Sequence, residues 1–242
     1  IFTRRRGIMK GRILTAVILA LLIVTSSAAA VQFGAPQPVA NPNGFALGVG
    51  YFYSQNKWEP TDNTSDFDSK MTRNEVYIQA SAATKYVEGY LRLGGTNVKL
   101  DNDTSVALGT DFNDSGVIFG GIGARGYYPV TSNFGIGPVV QASLYDNFTD
   151  SYNGIEIKLK NPWEISAALA FQGNIGDNLI IYAGPYLFWS KFDIDGGGSW
   201  EAKNNFGGMG GVRFKFGKNF SIEIEGQYTD EFSAGGVFTV SF

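Results

Sequence analysis

The 242-residue sequence contains no cysteine and no histidine. Without Cys there is no disulfide framework and no thiolate metal site. Without His there is no His-ligated zinc site and no Ser–His dyad, and the side chain best suited to acid–base work near neutral pH is missing. Beyond residue 30 no stretch offers the ~20 consecutive apolar residues of a membrane-spanning helix. Glycine (32 residues) and aromatics (14%) are abundant instead.

The first thirty residues differ from the rest. Met9 opens MKGRILTAVILALLIVTSSAAA. Lys10 and Arg12 give a basic start, residues 13–25 form an apolar run, and Ala28-Ala29-Ala30 fits a small-residue cleavage site. This is the layout of a secretory signal peptide, with cleavage near Ala30/Val31. The apolar run is too short for an uncleaved span, which needs ~20 residues. Residues 1–8 precede the first Met and are set aside as an N-terminal extension. Residues 31–242 then form the mature domain. Removing residues 1–30 takes away five basic residues and no acid, leaving 14 basic against 22 acidic and a net charge of −8. Such a chain has no basic patch to neutralise phosphates, so nucleic acid is excluded as a partner.

The dominant pattern in the mature domain has period two. In FSIEIEGQY, Phe220, Ile222, Ile224, Gly226 and Tyr228 face one way, and Ser221, Glu223, Glu225 and Gln227 face the other. Segments of this kind, separated by turn signals, fall at residues 44–54, 71–82, 86–98, 116–128, 134–145, 162–173, 179–190, 200–216, 220–228 and 233–242. Their connections alternate. One set is short (AATK, PVTSN, NIGDN, GKN), and the other is mostly long, polar and acidic, as in QNKWEPTDNTSDFDSK. Short turns on one side and longer loops on the other predict an all-β, transmembrane, antiparallel up-and-down β-barrel. Ten strands are expected if residues 228–233 make a tight turn, and eight if two segments are loop hairpins.

A soluble barrel has the same period with its apolar face inward. Three features favour a membrane barrel. Twelve charged residues occupy the phase opposite the aliphatic positions: Arg73, Glu75, Glu88, Arg92, Arg125, Glu164, Glu201, Lys203, Arg213, Lys215, Glu223 and Glu225. In a membrane barrel they line the lumen, because a charge facing lipid costs roughly 2–4 kcal/mol at mid-bilayer. Aromatics gather at strand ends, with Trp163, Trp189 and Trp200 toward the long loops. Tyr128, Phe134, Phe171, Phe216, Phe220 and Phe242 lie toward the short turns, so that two belts flank an aliphatic middle. Finally, glycines crowd the strands, as in GVIFGGIGARG, and closure of the barrel satisfies every backbone group there.

The chain ends GGVFTVSF, with Phe238, Val240 and Phe242 in one phase. This ending resembles that of the small outer-membrane β-barrel proteins of Gram-negative bacteria, broadly the OmpA/OmpX-like superfamily. There a terminal aromatic preceded by alternating apolar residues is read by the barrel-assembly machinery. The resemblance covers residues 31–242 in architecture and only the last strand in residue detail. It implies a bacterial outer-membrane location, contact with lipid and lipopolysaccharide, and an assembly signal at Phe238, Val240 and Phe242. A monomer is expected, and an even strand number keeps both termini periplasmic.

Some barrels of this architecture are enzymes: omptin-like proteases, lipid A palmitoyl transferases and deacylases, and the outer-membrane phospholipase. Each depends on a His, which this chain lacks. The carboxylates of Glu223 and Glu225, about 7 Å apart by strand rise, are expected to pair with lumen Arg and Lys. Acidic stretches such as DNDTS (101–105), DFND (111–114) and DIDGGG (193–198) are carboxylate-rich, but a calcium site requires six to eight oxygen ligands, and DIDG lacks the twelfth-position Glu of a calcium loop. They read as turns and solvated surface. No catalytic residue, cofactor or metal is expected. The leading expectation is a non-enzymatic structural barrel with a charge-networked lumen. A porin-like small-solute or ion channel is an alternative. So is a surface adhesin or receptor acting through loop aromatics such as Trp58, Phe67, Phe112, Phe148 and Tyr152.

Overall fold

The computed structural model describes residues 32–61, 69–101, 112–152 and 155–242. Thirteen strands follow in order: β1 (Phe45–Pro60), β2 (Ser69–Ala83), β3 (Val87–Asp101), β4 (Phe112–Gly126), β5 (Tyr128–Pro129), β6 (Phe134–Tyr145), β7 (Phe148–Tyr152), β8 (Ile155–Ile175), β9 (Leu179–Ile194), β10 (Ser199–Ala202), β11 (Phe206–Phe216), β12 (Phe220–Tyr228) and β13 (Phe232–Ser241). Ten of them close a ring in the order β1-β2-β3-β4-β6-β8-β9-β11-β12-β13, every pair antiparallel. The remaining three extend it: β5 pairs with β6 at the short-turn end, while β7 and β10 pair with β8 and β9 at the long-loop end.

The ring closes where the last strand meets the first, with Ala46 opposite Ser241, Gly48 opposite Thr239 and Gly50 opposite Val237. This pairing removes the open edge that a hydrocarbon environment does not tolerate. Between β12 and β13 only residues 229–231 intervene, so the tight turn that ten strands require is present. At the opposite end, residues 217–219 join β11 to β12. Gly217 there has φ +67°, the left-handed conformation that short hairpin loops demand of one residue.

Apart from irregularities at Thr96/Val98 and Lys160/Trp163, the strands alternate, and the sense is inverted relative to a soluble barrel. Leu47, Val49, Val76, Ile78, Leu91, Leu93, Ile118 and Ile122 all lie on the outside and are more than half exposed. Arg73, Glu75, Gln79, Glu88, Arg92 and Thr96 lie inside and are buried. An apolar exterior this continuous exceeds the patches that soluble monomers carry. Apolar outward and polar inward is the pattern of a barrel in lipid.

Inward-facing glycines take part in a repeated packing device. Gly50 is directly opposite Tyr77, Gly94 opposite Phe119, Gly123 opposite Tyr90, Gly211 opposite Tyr182, and Gly235 opposite Phe52. In each case the ring occupies the space where a glycine Cβ would stand. Glycine usually weakens a strand. Here it makes room for a neighbour's ring to lie along the barrel wall, so large inward side chains fit a narrow lumen.

Candidate functional site

Among the described residues, alternation delivers nine buried charges to the barrel interior: Arg73, Glu75, Glu88, Arg92, Arg125, Glu164, Arg213, Glu223 and Glu225, none more than 5% exposed. They form tiers. Toward the long loops, Arg73 Nη2 is 2.5 Å from Glu164 and Nη1 is 3.8 Å from Glu75. The Tyr145 hydroxyl donates to Glu75 at 3.0 Å, and Arg73 stacks over the Tyr145 ring at 5.0 Å. In the middle, Arg92 lies between the rings of Tyr77 and Tyr90, 4.8 Å from each. Its guanidinium donates to Gln79 at 2.8 Å and to Gln141 at 3.2 Å. Toward the short turns, Arg213 donates to Glu223 Oε2 through Nε at 3.1 Å and through Nη2 at 3.0 Å. Arg125 lies 3.7 Å from Glu88 and 3.9 Å from Glu223.

The short-turn tier holds something besides itself. The segment before β1 turns back into the barrel, and Gln32, Phe33, Gly34 and Ala35 are fully enclosed. Both oxygens of Glu225 accept from its main chain, from Phe33 N–H at 2.8 Å and Gly34 N–H at 2.7 Å. Glu223 accepts from Ala35 N–H. Glu88 accepts from Val39 N–H at 2.5 Å and Ala40 N–H at 3.2 Å. The arginines take the carbonyls. Arg125 donates to Ala35 O at 3.0 Å, and Arg213 donates to Gln37 O at 2.7 Å and Ala35 O at 3.3 Å. Gln172 exchanges two hydrogen bonds with Gln37, and Ser241 donates to Val39 O. Gly34 has φ +81°, and Arg125 abuts the place its Cβ would take, so geometry and space both require glycine. Phe33 packs against Tyr186 with ring centroids 5.3 Å apart, and Gln32 accepts from the Tyr77 hydroxyl at 3.0 Å. Buried main-chain groups need partners, and charged side chains supply the strongest ones.

The sequence pattern of the outer membrane protein beta-barrel domain matches residues 76–240. The chain belongs to that family. Among solved structures, an outer membrane channel from Pseudomonas putida F1 superposes with a TM-score of 0.51 at 11% identity, over 88% of this chain and 98% of that one. The translocator domain of the autotransporter NalP from Neisseria meningitidis gives 0.48 at 13% identity, over 98% and 96% of the two chains. At such identities the likeness is one of fold. No curated protein matches the chain.

Within this outer-membrane barrel, three of the twelve charges expected in the lumen are placed differently. Glu201 and Lys203 are exposed, and Lys215 is only half-buried, at the short-turn rim. The expected single strand 200–216 is broken at residues 203–205 into β10 and β11. Even-numbered residues point inward before the break and odd-numbered ones after it, so one phase cannot hold for both. A slip of this kind turns every preceding side chain to the other face. Trp200 is corrected for the same reason. It is 5% exposed inside the long-loop end and stacks on Phe192 at 6.4 Å, not in the outer aromatic belt. Tyr128, Phe134, Phe171, Phe216, Phe220 and Phe242 lie on the outside near strand ends. Trp163 and Trp189 also lie on the outside, but β8 and β9 run on past them toward the long loops, so they are not at strand ends. Phe238 and Val240 face outward as well.

Of the loop aromatics, Trp58, Phe112 and Phe148 are buried in one cluster with Phe52, Phe119, Tyr145, Phe192 and Trp200. Phe67, the side chain of Tyr152 and most of residues 101–111 lie outside the described residues, as do residues 1–31 with the expected signal peptide. Asp193 and Asp195 of the DIDGGG stretch serve the β9–β10 hairpin: Ser199 donates to Asp193 at 2.5 Å, and Asp195 pairs with Lys160 at 2.7 Å. Among the described residues no cluster of three or more Asp or Glu has metal-ligand spacing. The segment at 32–44 was not anticipated from sequence. Its three prolines and absence of alternation resemble a linker, and the one available signal was an extended Pro-containing stretch lacking charge before the first strand.

Proposed function

We propose that this protein is a non-enzymatic structural component of the outer membrane whose lumen is closed by its own N-terminal segment. The observation that carries this reading is the set of hydrogen bonds from Glu88, Glu223, Glu225, Arg125 and Arg213 to the main chain of residues 33–40. A segment held by so many charge-assisted bonds fills the lumen as a plug. The same bonds occupy the carboxylates that acid–base chemistry would need. Five of the nine charges are a clamp on this segment, and the other four pair among side chains of the wall, so they are not the lining of an open pore. At the long-loop end the aromatic cluster around Trp58 and Trp200 adds a second closure. Burial of Trp58, Phe112 and Phe148 also removes the exposed anchors on which an adhesin reading would rely.

With both ends of the barrel domain at the short-turn side, the short turns and the termini are periplasmic and the long loops face outward. The outer face contacts lipid and lipopolysaccharide along its whole circumference, which fits a monomer. Phe238, Val240 and Phe242 serve as the assembly signal, and Phe242→Asp lowers the amount of protein inserted into outer membranes. Unchanged insertion would leave Phe242 with its belt role alone. The test of the closed lumen is planar-bilayer conductance of the purified barrel. Silence or rare small steps are expected. Stable open channels of porin size would overturn the reading in favour of a porin-like channel.

A further inference from the structure

Where the plug reaches the short-turn mouth, a small hollow remains beside it. Residues 37–42 form one wall, and the β11–β12 hairpin with Ser241 forms the other. Its volume is about 150 Å³. At ~30 Å³ per water that is room for about five waters, well below the ~300 Å³ at which pockets for organic ligands begin. Arg213, Lys215, Lys218 and Ser221 line it, and no acidic side chain does. The charges there are unevenly matched. Arg213 is bonded twice to Glu223 and otherwise to plug carbonyls. Lys215 is two residues further along the same inward face of β11, about 7 Å by strand rise, and is half-buried. The salt bridges of this tier go to Arg125 and Arg213 and not to Lys215. The Asp177 carboxylate acts on it only from the β8–β9 turn.

Lys218 stands exposed in the turn itself. Two ammonium groups beside a guanidinium, in a chain whose acids outnumber its bases, are a local excess of positive charge. Such an excess is costly where water is scarce, and an anion offsets it. We propose that the hollow binds one dianionic phosphate group, with the Lys215 and Lys218 ammonium groups and the Ser221 hydroxyl as its donors. Lysine meets phosphate as a point charge, and two lysines match the charge of about −2 that a phosphate monoester approaches near neutral pH. A carboxylate brings only one. The five heavy atoms of a phosphate also suit a space of this size. The group can be free inorganic phosphate or the monoester headgroup of a lipid. Phe216 and Phe220, on the outside at the two ends of the hairpin turn, set the mouth at the depth of lipid headgroups. The site needs residues 37–42 in place but does not need a closed lumen, so it stands apart from the plug reading.

The barrel is purified in an alkyl maltoside, which carries no phosphate, and held at fixed ionic strength. Inorganic phosphate is added in one series and phosphatidic acid in another, and the phosphorus NMR line of each is followed. Saturable broadening of the inorganic phosphate line supports the site and names free phosphate as its source. Saturable broadening of the phosphatidic acid line alone, beyond that in protein-free micelles, supports it and names a lipid. Lys215→Gln is expected to raise the Kd about tenfold or more, the loss of a charged hydrogen bond. Lys218→Glu, which sets a carboxylate at the hollow, is expected to abolish binding. Lys85→Gln is the control. It removes a lysine from the β2–β3 turn at the same mouth but outside the hollow, and binding is expected to stay as in the unaltered protein. Heat-modifiable mobility verifies that each variant is folded. Should Lys215→Gln not fold, Lys218→Glu, at an exposed turn residue, carries the test alone. Absence of saturable broadening in both series overturns the proposal. So does equal weakening by Lys85→Gln, which reduces the effect to diffuse charge. Conductance of the same samples separates this site from the closed lumen. A silent barrel that ignores phosphate loses the site and keeps the plug, whereas an open barrel that binds phosphate keeps the site and loses the closure.

Discussion

The two halves of the lumen are filled by different means. At the long-loop half, side chains meet side chains: Trp58 packs on Phe192 at 4.7 Å, Phe192 stacks on Trp200, and Phe119 stacks on Tyr145 at 5.4 Å. At the short-turn half, side chains meet main chain, and Glu88, Glu223, Glu225, Arg125 and Arg213 hold the segment that precedes β1. The long strands that overhang the ring bring large aromatics to one end. The short turns carry nothing comparable, so the opposite end is filled from elsewhere in the chain. An apolar filling is insensitive to direction and partner, whereas a hydrogen-bonded filling is specific to one segment in one register.

The sharpest way to break the comparison is to remove residues 32–40. The short-turn half then loses its filling while the barrel wall stays intact, and bilayer conductance is expected to change from silence to frequent open steps. Arg213→Ala comes next. It removes the two-pronged partner of Glu223, leaving only Arg125 at 3.9 Å, and takes the donor from the Gln37 carbonyl, a loss of about 3–5 kcal/mol for a broken buried pair. It shows as a lower urea midpoint of the heat-modifiable form together with intermittent conductance. Trp58→Ala tests the other half. The cavity costs about 3–5 kcal/mol and lowers the same midpoint, yet conductance stays silent because the plug is untouched. The smallest effect is expected at Asp195. Its carboxyl is held below its ordinary value by a hydrogen bond from Lys160. The contribution is therefore present near neutral pH and lost as pH falls through that lowered value. Because the pair is exposed, Asp195→Asn is expected to leave the midpoint unchanged across that range.

Much of the barrel was legible in the sequence because period two is written into every residue of a two-faced strand. Ten segments could be counted, and the charge phase separated lumen from lipid for Arg73 through Glu164 and again from Arg213 to Glu225. The errors gathered where alternation stops. Residues 203–205 shift the phase by one, and nothing in WEAKNNFGG announces it. The strands also outrun the membrane: β1 continues to Pro60 and β8 begins at Ile155, where polar residues give no lipid-facing signal. The plug was invisible for a deeper reason. It is held through its peptide groups, which every sequence has, so its specificity is encoded in the residues that grip it. Apart from the uncharged, Pro-containing stretch itself, its trace lay in the carboxylates that alternation sends inward.

The rings that lie over glycines carry a consequence for heredity. Tyr77 needs a glycine at position 50, and Gly50 is useful only while position 77 carries a ring; the same bond of necessity joins Tyr90 to Gly123 and Tyr182 to Gly211. Each pair behaves as a single character that cannot drift one half at a time. In descendants of this sequence the two positions should be lost or kept together, even where everything around them has changed.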